Sequence, residues 1–328
     1  MARTPQCHCG WLWVKAKSWS HWLTERGRAV VPRREQTGGE SAITHRPYLL
    51  DTSAFVSLGR QVLRNLRLKG YPLYASPYVF WERLGHLEAN DFNRSKGQLL
   101  AKFEFIELLD DPLAYIEQSL LPIDSDIHDR SEDADLIYAA LAALRGSKSL
   151  SIFYSYQIQD PKNGVRQIAD CIEVVKKTLE EKEQKYQNYI NGIIRMISSH
   201  QVPFDSDQDR HVAILQLVEA YVIYLKQRGA TEEDLRLNVI NDTYLHCAYI
   251  LHRAFQCIKS GGIPSRNDYE DGRICLHLKL TTPYCLVTND RGTRDALKET
   301  SLLLTRLNDP QFATTLQVCD ADHLKNLV

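Results

Sequence analysis

An α/β fold built on a parallel sheet is predicted by three observations. Short apolar runs of strand length alternate with helix-forming segments on both sides of a long middle region. The stops between them are caps and one-sided turns rather than hairpin signals, which argues for parallel pairing. The middle region carries the 3.6-residue period of helices. The expected layout is an extension over 1–46, a sheet-forming first half over 47–122, a mostly helical insertion over 123–264, and a second half over 265–328.

Each element has a local reason. Tyr48-Leu49-Leu50 stops at Asp51-Thr52-Ser53, the pattern of a buried strand. Tyr71–Ala75 predicts a second strand, with Pro72 near its start, where a missing N–H is tolerated. Ser76-Pro77 opens a helix, serine as N-cap and proline at the first position. Phe105–Leu109 predicts a third strand. From Ile123 to Gly262 the expectation is almost wholly helical: Ala134–Leu144, then a long amphipathic helix through Ile168, Ile172, Val175, Tyr186, Ile193 and Ile197. His211–Lys226 and Leu235–Ile258 follow, the latter opened by Thr231–Asp234. Gly261-Gly262-Ile263-Pro264 closes the block. Asn267 and Glu270 are expected as N-cap and third residue of a helix reaching Leu280. A strand over Tyr284–Thr288, a helix over Arg294–Leu304 and a strand over Thr315–Cys319 complete the chain.

The 328 residues are 44% apolar and 25% charged, which excludes bulk disorder, a collagen-like repeat and a small disulfide scaffold. With 40 basic against 41 acidic residues the chain is no polycation, so contact with nucleic acid needs a local patch. Eight cysteines without a CxxC pair predict free thiols in a reducing, cytoplasmic setting. No apolar run reaches the roughly 18 residues of a membrane span, so no membrane association is expected. Residues 1–46 differ from the rest, holding four of the five tryptophans and eight Lys/Arg against three Glu. A basic aromatic arm can stack on RNA. A disordered extension is the preferred reading, with an early start codon or a transit peptide as alternatives.

Asp51 and Asp290 each follow an apolar strand run, and open parallel sheets bind ligands beyond the carboxyl ends of their strands. Both acids are expected in one crevice. Glu82 lies about two turns into the helix opened by Ser76-Pro77. Asp271 lies near the start of the helix containing Asn267, with Asp268 three residues earlier on the same face. Taken singly, each reads as an ordinary surface or capping group; the joint pattern is what carries information.

Leu49-Leu50-Asp51-Thr52-Ser53-Ala54-Phe55 resembles the opening of PIN domains. Ser76–Leu84, a helix carrying Glu82, is similar to their second motif. Asn267–Cys275 and Leu286-Val287-Thr288-Asn289-Asp290-Arg291 resemble the third and fourth. The resemblance implies a three-layer α/β/α fold in which Asp51, Glu82, Asp271 and Asp290 hold Mg²⁺ or Mn²⁺, with Ser53 and Thr288 nearby. The 189 positions separating Glu82 from Asp271 exceed what a compact PIN domain needs and are assigned to the helical insertion. Asp133-Ala134-Asp135 mimics the third motif but is not followed by a strand ending in Thr-x-Asp; these acids are read as favouring a helix N-terminus.

Converging carboxylates repel, and burial raises their pKa values further. A hard divalent ion removes the conflict, since Mg²⁺ prefers oxygen ligands and accepts substrate phosphate. The implied activity is phosphodiester hydrolysis, endonucleolytic on RNA by family resemblance. Arg291 and Arg294 are candidates to hold flanking phosphates, Arg60 and Arg83 weaker ones. RNA is the expected partner, with a protein partner, an antitoxin by family analogy, at the helical insertion. The rival reading is an inactive scaffold binding RNA or a protein through that insertion. No P-loop or dinucleotide fingerprint is present. The second Asp of an aspartyl phosphotransferase would fall at Ser53. Cys7-His8-Cys9 lacks a second ligand pair for zinc. His246 and His252, six apart in a helix, read as ordinary helix histidines.

Overall fold

Three apolar residues in a row, covered on both faces, make the centre of the sheet. The computed structural model describes residues 45–328 except 110, 113–115, 118–120, 122–129, 161–163, 200–203, 232–234 and 266. Its strands are β1 (Tyr48–Leu50), β2 (Leu73–Ala75), β3 (Glu107–Leu108), β4 (Gln157–Asp160), β5 (Gly164–Gln167), β6 (Cys285–Val287) and β7 (Gln317–Cys319). The helices are α1 (Thr52–Ser57), α2 (Arg60–Leu68), α3 (Pro77–Gly85), α4 (Phe92–Phe103), α5 (Arg130–Gly146), α6 (Leu150–Ser155), α7 (Ile168–Ser198), α8 (Asp207–Gln227), α9 (Leu235–Ser260), α10 (Asn267–Cys275), α11 (Arg291–Leu307) and α12 (Ala321–Lys325).

Five strands pair in parallel in the order β3-β2-β1-β6-β7. The chain leaves β1 for β2 and β3 on one side and returns to β6 and β7 on the other. Strand order therefore reverses between β1 and β6, the point where open parallel sheets form a ligand crevice beyond their carboxyl ends. Every residue of β1 and β6 is buried, as a parallel sheet covered on both faces requires. Tyr48, Leu50, Leu73, Ala75, Cys285 and Val287 join a core with Phe55, Phe80 and Leu84. Leu49 and Leu286, alternating with them along the pleat, are fully buried on the opposite face. Each such leucine contributes on the order of 1.5–3 kcal/mol. Coverage of both faces is the arrangement of a three-layer α/β/α sandwich.

The helices between the two halves are packed into this body. Ile137, Ala140 and Leu144 of α5, Phe153 of α6 and Ile168 and Ile172 of α7 lie in the same core as β1. Helix α9 packs against α7, α8, α10 and α11. Residues 45–328 form one compact unit.

The middle region is not wholly helical. Strands β4 and β5 form an antiparallel hairpin, with Gln157 opposite Gln167 and Asp160 opposite Gly164. Gly164 takes φ of 75°, which a Cβ would disfavour. Asn163-Gly164 is a recognised hairpin dipeptide; with one buried residue, Ile158, in β4, the period-2 pattern is submerged in its helical surroundings. Helix α10 ends at Cys275 rather than Leu280, its exit tightened by bonds from Leu276 N–H to Arg273 and His277 N–H to Ile274. Its start is set by Ser265 and Asp268, not by Asn267 and Glu270. The Ser265 N–H donates to Asp268 Oδ2 at 2.8 Å and the Asp268 N–H to Ser265 Oγ at 3.3 Å, a reciprocal cap. Residues 232–234, Cys7-His8-Cys9, the four early tryptophans and the side chains of Asp133 and Asp135 lie outside the described residues. Among the described residues, no helix is long and apolar enough to cross a membrane.

Candidate functional site

Two of the expected acids are helix caps at the strand-order reversal. Asp51 follows β1 and caps α1, its Oδ1 accepting the Ala54 N–H at 2.7 Å. Asp290 follows the β6 segment and caps α11, its Oδ1 accepting the Thr293 N–H at 2.6 Å. The capping reading and the site reading thus coincide in the same residues. The Ser53 hydroxyl donates to both Asp51 oxygens, at 2.9 and 3.0 Å, and accepts the Asn289 N–H at 2.8 Å. Thr288, fully buried, accepts the Asp290 N–H at 3.0 Å. Ser53, through Asn289, and Thr288, whose side chain also hydrogen-bonds Asp51, therefore stitch the end of β1 to the end of β6.

Helix α10 delivers Asp271 to the same place. The Thr293 hydroxyl donates to Asp271 Oδ2 at 3.0 Å while the Thr293 N–H holds Asp290. One threonine clips both acids. Burial, then the negative charges of Asp290 and Asp51, push the Asp271 carboxyl up to about 8. Burial also pushes Asp51 up to about 6, opposed by hydrogen bonds from Thr288, Ala54 and Ser53 and assisted by Asp290. Asp51, Asp271 and Asp290 thus share one electrostatic neighbourhood. Glu82 is held at its rim: the Thr52 hydroxyl donates to Glu82 Oε2 at 2.5 Å, one residue beyond Asp51. Glu82 is not among the groups whose charge chiefly shifts Asp51 or Asp271.

The expected arginines turn elsewhere. Arg291 is 88% exposed and pairs with Asp295. Arg294 is committed to the Thr288 carbonyl and to Asp320, at 3.3 and 3.2 Å. Arg60 pairs with Glu104 on the surface. Asp268 does not add to the acid set; it is buried and paired with Arg253 of α9 at 2.7 Å. Helix α9 also supplies His246, whose Nδ1–H donates to the Gly272 carbonyl at 2.6 Å; burial lowers its pKa to about 4. Tyr186 of α7 and Tyr249 of α9 lie against Gly272, and the Tyr186 hydroxyl is buried with no hydrogen-bond partner among the described residues. Thr52, Thr293 and Arg253 were not foreseen. Their roles depend on contacts between distant segments, which no local pattern marks.

The chemistry of the donor set suits a hard divalent cation: carboxylate oxygens running from buried Asp51 through half-buried Asp271 and Glu82 to exposed Asp290, with no Lys or Arg paired to them among the described residues. Direct ligation is not assembled, since among the described residues no group of three or more His, Cys, Asp or Glu side chains is arranged to hold a metal ion. In comparisons with protein-family models, curated proteins and solved structures, the chain matches none.

Proposed function

We propose that this protein is a metal-dependent phosphodiesterase acting on RNA, an endoribonuclease of the PIN type. The observation that carries the reading is the meeting of Asp51, Asp271 and Asp290, from three separate stretches of chain, at the strand-order reversal, with no cationic side chain among the described residues paired to them. Carboxylates clustered for structure alone, with Asp51 buried and Asp271 half-buried, would be expected to pair with Lys or Arg; these leave a place for a cation from solution. Asp51, Asp271 and Asp290 are its holders, and Glu82 adds a carboxylate at the rim. When bound, Mg²⁺ or Mn²⁺ supplies water activation and charge neutralisation at phosphorus. Ser53 and Thr288 fix the orientation of Asp51, and Thr293 that of Asp271 and Asp290.

The test is cleavage of labelled single-stranded RNA with Mn²⁺ or Mg²⁺ against EDTA, wild type beside Asp290→Asn. Asparagine retains the N-cap of α11, so the variant keeps its fold by circular dichroism and loses cleavage. Full activity in Asp290→Asn overturns the assignment.

A second reading is favoured by the absence of an assembled three-ligand group among the described residues. Under it the chain binds RNA or a protein through the helical region without catalysis. Metal-independent RNA binding with no cleavage in either ion identifies that case.

A further inference from the structure

The long middle region delivers a cation to the edge of the carboxylate site. Arg253 of α9 gives its Nη2 to Asp268 Oδ1 at 2.7 Å, and Asp268 is itself fixed by the reciprocal cap with Ser265. A Cβ placed on residue 292 would lie 2.8 Å from Arg253 Nη1 and 3.2 Å from Asp290 Oδ1. The guanidinium and the Asp290 carboxylate therefore flank the same bare α-carbon. Arg253 Nε is buried with no partner among the described residues, and the side chain remains 23% exposed. Among the described residues its ion pair is with Asp268, not with Asp290, Asp271 or Asp51. One edge of the guanidinium is anchored and Nη1 makes no hydrogen bond among the described residues, on the Gly292 side that faces Asp290. Arginine held in this way is suited to an oxyanion, because its planar donors are already oriented.

We propose that Arg253 is a further catalytic residue, donating from Nη1 to a non-bridging oxygen of the RNA phosphate undergoing hydrolysis. The inference rests on the nuclease reading above and adds to it that the helices between the two sheet halves complete the site. In the reaction, water oxygen bonds to phosphorus and one ester P–O bond breaks. One water proton ends on the product phosphate and the other on the released hydroxyl. Arg253 keeps its protons and neutralises charge on the equatorial oxygens.

The experiment compares wild type, Arg253→Lys, Arg253→Gln and the double variant Arg253→Gln/Asp268→Asn. The double variant removes the buried aspartate charge that the single change leaves unpaired, so it separates loss of the contact from loss of fold. The probe is a fluorescein-labelled single-stranded oligouridylate. Binding is read by anisotropy in EDTA, cleavage by single turnover with Mn²⁺, and Mn²⁺ affinity by calorimetry. Arg253→Gln and the double variant are expected to cleave about 10²–10³-fold more slowly, the scale for removing one donor to developing charge. Both bind the probe about tenfold more weakly in EDTA, the scale of one charge-assisted hydrogen bond, with Mn²⁺ affinity no weaker than wild type. Arg253→Lys recovers part of the loss, since an ammonium keeps the charge but not the fork. Cleavage by the double variant within about twofold of wild type, or a loss that follows Mn²⁺ affinity, overturns the proposal. If wild type cleaves nothing in either ion, the nuclease reading fails by itself. Arg253 is then decided by the EDTA binding: a tenfold difference keeps it as a phosphate contact, and equal binding removes it.

Discussion

Thr293 is the residue on which the geometry of the acids turns. Its N–H holds Asp290 and its hydroxyl holds Asp271. Thr293→Val keeps the shape and the N–H but removes the hydroxyl. It is expected to weaken Mn²⁺ binding about 10–100-fold by calorimetry, the usual effect of losing a group that orients a metal ligand, while Thr293→Ser stays near wild type. The acids also set a pH signature in the metal-free protein. Asp271 holds its proton in the fold up to about 8, whereas the unfolded chain releases it near the ordinary value of about 3.9. The folded state binds more protons across that interval, so Asp271 makes stability fall as pH rises through it. Buried His246 and His277, lowered to about 4, act in the opposite sense below about 6.5, where the unfolded chain takes up protons that the fold refuses. Between about pH 6.5 and 8 Asp271 dominates. Thermal melts in EDTA should show the melting temperature declining across this window, and Asp271→Asn should flatten the decline. A flat wild-type profile would count against a buried, unpaired Asp271.

At the scale of elements, the loop ends and helix starts do the positioning. Each acid that follows a strand is also the cap of the next helix, so the turn that shapes the chain also fixes the carboxylate. In α11, Gly292 is the second helical residue and leaves room for Arg253 beside Asp290. Gly292→Ala gains about 1 kcal/mol of helix propensity, but its Cβ would lie 2.8 Å from Arg253 Nη1 and so displaces a guanidinium paired with buried Asp268. Melting temperature is therefore expected to stay level or fall, and RNA cleavage to fall. A variant that melts and cleaves like wild type would show that the guanidinium has no fixed role there.

Across the whole molecule, the region between the sheet halves is part of the body. Core residues of α5, α6 and α7 pack with those of β1, and α9 lies against α10 and α11. Replacing residues 123–264 by a Gly/Ser linker exposes those faces. The shortened chain is expected to lose its cooperative melt by circular dichroism and to aggregate on size exclusion, in contrast with an insertion that folds apart from its host. A sharp melt and a monomeric peak would instead mark the sheet halves as self-sufficient.

Much of the fold was legible because its signals are local. Tyr48-Leu49-Leu50 and Cys285-Leu286-Val287 are apolar runs too short for helices, and Ser76-Pro77 is a cap and first turn written in two residues. The same locality explains the errors at β4–β5 and at the start of α10, where Ser265 three residues before Asp268 competed with a second plausible cap. Sequence by itself determined the strands of the parallel sheet, most of the helices and the acids that follow β1 and β6, since propensity, capping and periodicity act over a few residues. Only the tertiary structure decided the company those acids keep. Asp271 arrives across 189 positions from Glu82, Thr293 ties it to Asp290, Thr52 takes Glu82, and Arg253 comes from a helix whose pattern reads only as core. Those meetings are set by the packing of whole helices against one sheet, a long-range balance of buried area that no short stretch of residues records.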